Sequence, residues 1–146
     1  IVAPAPRRLQ MARYLPATSF FFTLVPEDAE ERSKPVSLDP VRAKLRFIDK
    51  HDAATLVSEN QSQIAQLLQQ GEQIAQAAMR TTVADATAAM LQTQTAEIKR
   101  LVALKQVNPN VRDSELAYLK EQTLQLHQCM KQASVELLAV HVVFKA

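Results

Sequence analysis

From Asp52 onward the apolar residues recur at helical spacing. Leu56, Ile64, Leu67, Leu68, Ile74, Ala75 and Ala78 fall on one face, and the stripe resumes at Met90, Leu91, Ile98, Leu101 and Leu104. Between them lie alanines, glutamines and other helix formers, with no proline before Pro109. One helix over that span would measure about 80 Å at about 1.5 Å per residue. That is long for a compact domain of this size, so a break or bend is expected near Gly71 or within Arg80 to Asp85. Asn108-Pro109-Asn110 then stops the helix and turns the chain, and either Asn110 or Asp113 can cap the next one. Leu116, Leu119, Thr123, Leu126, Met130, Ala133 and Leu137 follow in alternating steps of three and four. Such a seam packs against a neighbouring helix, here most simply the preceding one, with a second chain as the alternative.

The first fifty residues have a different texture. Six of the seven prolines fall there (Pro4, Pro6, Pro16, Pro26, Pro35, Pro40), and each limits helix nearby. Thr18 to Val25 is aromatic and β-branched, and its unbroken apolar middle predicts a strand buried on both faces. Glu27 to Lys34 reads as a solvated connection. A second short strand is predicted over Ala43 to Ile48, with Leu45 and Phe47 on one face and Lys44 and Arg46 on the other. Val135 to Phe144 turns valine-rich and aromatic, which predicts a terminal strand. The fold class expected is therefore α+β: a long α-helical hairpin packed on a small, mainly antiparallel β-sheet formed by N-terminal strands and the C-terminal strand. It would be one domain over 1–146, with a strand and loop part (1–50), a helical hairpin (51–134) and the terminal strand (135–146).

Composition removes several function classes. Hydrophobic residues make up 47% and charged residues 22% of the chain, ordinary for a globular domain, and the net charge is only +2. No strong pull toward nucleic acid or anionic lipid follows from that charge. No apolar run approaches the roughly 20 residues that span a bilayer. Gly71 is the sole glycine, whereas phosphate-cradling loops need two or three, so neither a Walker loop nor a dinucleotide fingerprint can be built. Cys129 is the sole cysteine, which excludes an intrachain disulfide and a cysteine-rich zinc site and suits a reducing compartment. The chain opens on Ile1 with no charged stretch leading into an apolar one, and it is expected to be a piece of something longer.

Little catalytic chemistry is on offer. His127 and Cys129 lie two apart on a helix and point in different directions, so a shared ligand is not expected. His51 and Asp52 stand at a helix entrance, where Asp52 suits a cap or a first-turn anion. His141 falls in the predicted strand, where a packed or edge histidine is the ordinary reading. No catalytic, cofactor-binding or metal-ligating residue is assigned. Arg7, Arg8 and Arg13, and then Arg42, Lys44, Arg46 and Lys50, could meet phosphate or an acidic partner surface. The acidic stretch Glu27 to Glu31 lies between the two groups, and solvated faces are the plainer explanation.

Three stretches carry a family resemblance: Arg8-Leu9-Gln10, Tyr14-Leu15-Pro16-Ala17-Thr18, and above all Leu104-Lys105-Gln106-Val107-Asn108-Pro109-Asn110-Val111-Arg112-Asp113-Ser114-Glu115-Leu116. With Leu68-Gln69-Gln70-Gly71-Glu72 between them and the valine-rich end, nearly the whole chain resembles the extreme C-terminal part of the RapA family of bacterial RNA polymerase-associated, SWI/SNF-type ATPases. The resemblance implies a parent that binds RNA polymerase core and DNA and hydrolyses ATP to release and recycle polymerase, in the bacterial cytoplasm. It implies ATP and Mg in motor lobes whose motifs have no matching positions here. This part would then be a non-catalytic structural and protein-interaction module, with polymerase core and other domains of its own chain as partners, and neither membrane nor small-molecule substrate. A nucleic-acid-contacting accessory domain that touches DNA or RNA, and a coiled-coil-like helical adaptor unrelated to the motor, stand as alternatives.

Overall fold

A computed structural model describes residues 1–24 and 44–144. Arg42, Val25, Ala43 and the expected connection Glu27 to Lys34 lie outside the described residues. Among the described residues three α-helices follow in order, α1 (Lys50–Glu59), α2 (Gln61–Val107) and α3 (Asp113–Lys131), preceded by two short 3-10 turns at Arg7–Leu9 and Met11–Arg13. The chain forms two compact units. One comprises Ile1–Thr18 and Ala78–Ala146, the other Ser19–Ala77.

In the Ser19–Ala77 unit, α1 starts on Asp49. Its backbone is extended and its carboxylate accepts from the His51 and Asp52 amides at 2.7 and 3.0 Å. Asp49 is thus the cap, and Asp52 takes the first-turn anion role. The bonds from the Asp52 and His51 amides hold the Asp49 carboxyl below its ordinary value of 3.8. A depressed acid contributes stability above its unfolded value and loses it as pH falls through the lower folded value. The start of α1 is therefore expected to fray below pH 3.8, and Asp49→Ala should remove that acid-dependent step. Far-UV circular dichroism titration of both proteins checks it.

The helical break is real but sits elsewhere than expected. At Asn60 the side-chain amide binds the Leu56 carbonyl at 2.8 Å, competing with the backbone ladder and separating α1 from α2. Helix α2 is unbroken through Gly71 and through Arg80 to Asp85. One glycine costs a helix only about 1 kcal/mol, and over the second stretch Thr82 returns its hydroxyl to the carbonyl of Ala78 at 2.9 Å. Among the described residues, a Cβ added at Gly71 would meet the Leu24 Cδ1 tip, at 3.2 Å. Because that tip can swing aside, Gly71→Ala is expected to raise stability by roughly 0.5–1 kcal/mol. A higher thermal midpoint checks it, and a lower one would mean Leu24 cannot yield.

The other unit holds the core. Met90, Leu126 and Met130 are fully buried, joined by Leu9, Met11, Leu15 and Ala86, with Val83, Cys129 and Ala133 packed around them. The C-terminal part of α2 and α3 form an antiparallel hairpin: Thr87 meets Met130, Gln94 meets Thr123, and Lys105 meets Asp113. The seam expected over Leu116 to Ala133 is inward-facing at each of its positions, so it closes within the chain. Leu137 departs from it, lying past the helix and 75% exposed. The turn differs in its cap. Asn108 accepts from the Asn110 amide at 3.0 Å, Asp113 is already helical, and Arg112 stands at the cap position. An arginine side chain has no acceptor, so Glu115 serves from the other side, accepting from the Arg112 amide at 3.5 Å.

The expected sheet is absent among the described residues, and an α+β fold is overturned. An antiparallel bridge, Val2 with Ser134, joins two segments of the Ile1–Thr18 and Ala78–Ala146 unit. Over 18–24 the chain alternates as a strand would: the Phe20 and Phe22 rings stack at 6.2 Å while Phe21 is 68% exposed. Thr23 carries an isolated bridge position, no ladder forms among the described residues, and burial on both faces fails with Phe21. Over 44–48 there is no strand, and Leu45, Phe47 and Ile48 are exposed. Over 135–144 the chain has no regular structure, with Leu137, Leu138, Val140, Val142 and Val143 exposed. Strand propensity measures fit to a pleated, half-buried surface, and none of the three segments has a described neighbour that supplies one.

Candidate functional site

The hairpin and the two 3-10 turns enclose a polar cleft of about 350 Å³, lined by Leu9, Gln10, Arg13, Tyr14, Thr93, Gln94, Glu97, Leu119 and Gln122. Its floor is a hydrogen-bonded tie. The buried Gln94 of α2 donates from Nε2 to the Tyr14 hydroxyl at 2.8 Å, and the Thr123 hydroxyl of α3 lies 3.3 Å from Gln94 Oε1 and 2.8 Å from the Leu119 carbonyl. Three elements thereby meet on one amide, which satisfies its buried polar atoms.

Gln10 shapes the wall. Between the two 3-10 turns it adopts φ 49, ψ 42, the left-handed region, while its amide donates to the Arg7 carbonyl at 3.1 Å. For a residue with a Cβ this conformation costs about 1–2 kcal/mol, held in place by the buried Leu9 and Met11 on either side. Gln10→Gly is therefore expected to keep the fold and gain up to roughly 1 kcal/mol from relief of strain, offset in part by the greater freedom of the unfolded chain. Urea denaturation checks it.

The electrostatics of the cleft are uneven. Arg100 binds Glu97 at 3.0 and 2.6 Å, and these bonds hold the Glu97 carboxyl below its ordinary range while raising Arg100 above its own. Glu97 thus stays ionised, with its charge paired to Arg100. Arg13 lies 5.6 Å over the Tyr14 ring, a cation–π placement, and among the described residues no carboxylate pairs with it. The cleft therefore offers side-chain amides, hydroxyls, the Arg100-paired carboxylate of Glu97 and the Arg13 guanidinium, which no carboxylate among the described residues holds. That set suits an extended peptide carrying a carboxylate, because amides match main-chain groups and a guanidinium matches a carboxylate.

Of the basic residues singled out from sequence, Arg13 alone lines the cleft. Arg7 is exposed and Arg8 binds Gln125 Oε1 at 3.0 Å. Lys44, Arg46 and Lys50 are exposed residues of the other unit. His127 and Cys129 are half-buried, Cys129 against the core, and His141 is exposed. Gln10, Gln94 and Gln122 were not foreseen as site residues. A signal existed for Gln94 and Thr123: each interrupts an apolar stripe at an inward position, where a polar side chain needs a buried partner. Among the described residues no helix is long and apolar enough to cross a membrane.

The turn Asn108 to Arg112, which carries the most specific part of the family resemblance, is the element that brings α3 back along α2 and so closes the cleft. A family model described as "RNA polymerase recycling family C-terminal" matches residues 1–145, and the chain belongs to that family.

Proposed function

We propose that this domain is a non-catalytic docking module of an RNA polymerase recycling protein, and that its cleft receives an extended loop of polymerase core bearing an acidic side chain. The supporting observation is Arg13, held over Tyr14 beside an amide-lined cleft and paired with no carboxylate among the described residues. A guanidinium in that setting gains a charge-assisted, two-pronged bond when a carboxylate arrives. Arg13 stands at the end of the short 3-10 turn Met11–Arg13, whose Met11 is buried in the core and so ties the turn to the hairpin. In this reading ATP and its Mg are held elsewhere in the longer protein, and the domain contributes grip. Nucleic acid would be contacted, if by this chain, through exposed Arg7 and the Lys44 and Arg46 group, and such contact would weaken steeply with salt.

The test is capture of RNA polymerase core by the full protein. Arg13→Glu is expected to weaken it by roughly ten- to a hundredfold, the loss of a charged hydrogen bond worth about 1.5–3 kcal/mol. Arg7→Glu should leave it within about twofold, as for a rim charge. Unchanged affinity for the Arg13 variant would overturn docking through the cleft.

A further inference from the structure

We infer that Arg100 is a positioning residue for the cleft: it holds the Glu97 carboxylate away from Arg13 and so keeps Arg13 open to an incoming acid. The inference deepens the docking reading above and rests on it.

Glu97 and Arg13 line the same cleft of about 350 Å³, yet the two opposite charges are not paired with each other. The route between them is short. Gln94 binds the Tyr14 hydroxyl at 2.8 Å, which ties α2 to the turn that carries Arg13. Glu97 follows Gln94 by three residues, and side chains three apart on a helix are neighbours, about 5–6 Å between Cβ atoms. On the other side of the tie, Arg13 lies 5.6 Å over the Tyr14 ring. An unpaired carboxylate at position 97 and an unpaired guanidinium at position 13 would therefore meet.

What keeps them apart is on α2 itself. Arg100 stands three residues beyond Glu97, outside the cleft lining, and takes both carboxylate oxygens. Its Nε donates to Oε2 at 3.0 Å and its Nη2 to Oε1 at 2.6 Å. A two-pronged grip of this kind fixes direction as well as charge. The same bonds hold the Glu97 carboxyl below its ordinary range, so it is ionised and fit to pair with any guanidinium that reaches it. Solvent screens the pair, whose side chains are 68% and 44% exposed, so removing Arg100 redirects Glu97 without disturbing the fold.

The consequence is competition for Arg13. An acidic ligand contends with the protein's own carboxylate, and Arg100 decides the contest by occupying that carboxylate first. The local charge is also positive only while Arg13 and Arg100 together outnumber Glu97. Without Arg100, Glu97 closes on Arg13 and the ligand must displace it.

Two readouts on the full protein test this, and the first needs no polymerase. Modification of Arg13 by phenylglyoxal, located by peptide mass spectrometry, reports whether a carboxylate covers its guanidinium. Arg100→Gln should slow that modification about threefold. Arg100→Lys should leave it near the parental rate, because an ammonium still pairs with Glu97. Adding Glu97→Gln to Arg100→Gln should restore it. The second readout is capture of RNA polymerase core. Arg100→Gln is expected to weaken capture about three- to fivefold, whereas in a Glu97→Gln background the same change should shift it by less than about 1.5-fold.

A parental rate of Arg13 modification in the Arg100→Gln protein overturns the inference. So does unchanged capture, and so does an equal loss with and without Glu97, which would make Arg100 a direct contact of the partner. Arg13→Glu reads the docking cleft separately. Capture lost with Arg13→Glu, beside Arg100→Gln effects that ignore Glu97, refutes the positioning role alone. Slowed modification in Arg100→Gln, beside normal capture by Arg13→Glu, refutes the docking cleft.

Discussion

Leu126→Ala is expected to lower the unfolding free energy by about 2–5 kcal/mol, the largest effect of any single truncation proposed for this chain. Leu126 has no exposed surface and lies at the centre of the cluster formed by Leu9, Met11, Leu15, Ala86, Met90 and Met130. Truncation deletes buried methyl groups and leaves a void that two helices and a 3-10 turn cannot close without separating. Met90→Ala and Met130→Ala belong to the same range but toward its lower end, because unbranched neighbours refill irregular gaps. Leu124, two residues away on α3 and 64% exposed, is the control, and its alanine variant should change stability by less than about 0.5 kcal/mol. A urea midpoint that falls with unchanged slope would show lost stability. Because the chain comprises two compact units, the transition should be followed by hydrogen exchange over 83–107 and 113–131, which reports on the affected unit alone. A Leu126→Ala protein as stable as its parent would mean the hairpin is not the core.

The second large effect is expected at Gln94. Replacement by leucine, close in size, should cost about 1–3 kcal/mol, since it leaves the Tyr14 hydroxyl without its donor in a half-buried place. It also removes the acceptor beside Thr123, although that hydroxyl keeps the Leu119 carbonyl at 2.8 Å and so suffers less. Tyr14→Phe should be milder, about 0.5–1.5 kcal/mol. The double variant is expected to cost less than the two single losses together, because both report on one bond. Strict additivity in a double-mutant cycle would show that the Gln94–Tyr14 bond contributes nothing. The Gln94 variant should also loosen the turn bearing Arg13, so its polymerase affinity should fall along with its stability.

The helices were legible in the sequence, whereas the expected sheet is absent among the described residues. Periodicity located α2 and α3 and the inward seam from Leu116 to Ala133, because apolar side chains at three- and four-residue steps have one physical outcome when a matching stripe is nearby. The break was misplaced because helix length and glycine were weighted above Asn60, whose own side chain takes a backbone carbonyl. The strands were misread for a related reason. Thr18 to Val25 and Val135 to Phe144 have strand composition, but a strand is a pairing, and composition does not say whether the partner lies within the same stretch of chain. As for the cleft, Arg13 was identifiable as a charge, whereas its neighbours Gln10, Gln94 and Gln122 come together only through the hairpin register. The left-handed Gln10 had no signal at all, since glycine or asparagine is the usual mark of that conformation.

In the proposed role the helical hairpin grips polymerase through its polar cleft. The most direct test of that grip is the amide-exchange footprint of RNA polymerase core on the full protein. Binding should slow exchange over residues 10–14, 93–97 and 119–122 and leave 44–50 unchanged. A footprint confined to 44–50, or saturating polymerase with no change at the cleft, would contradict it.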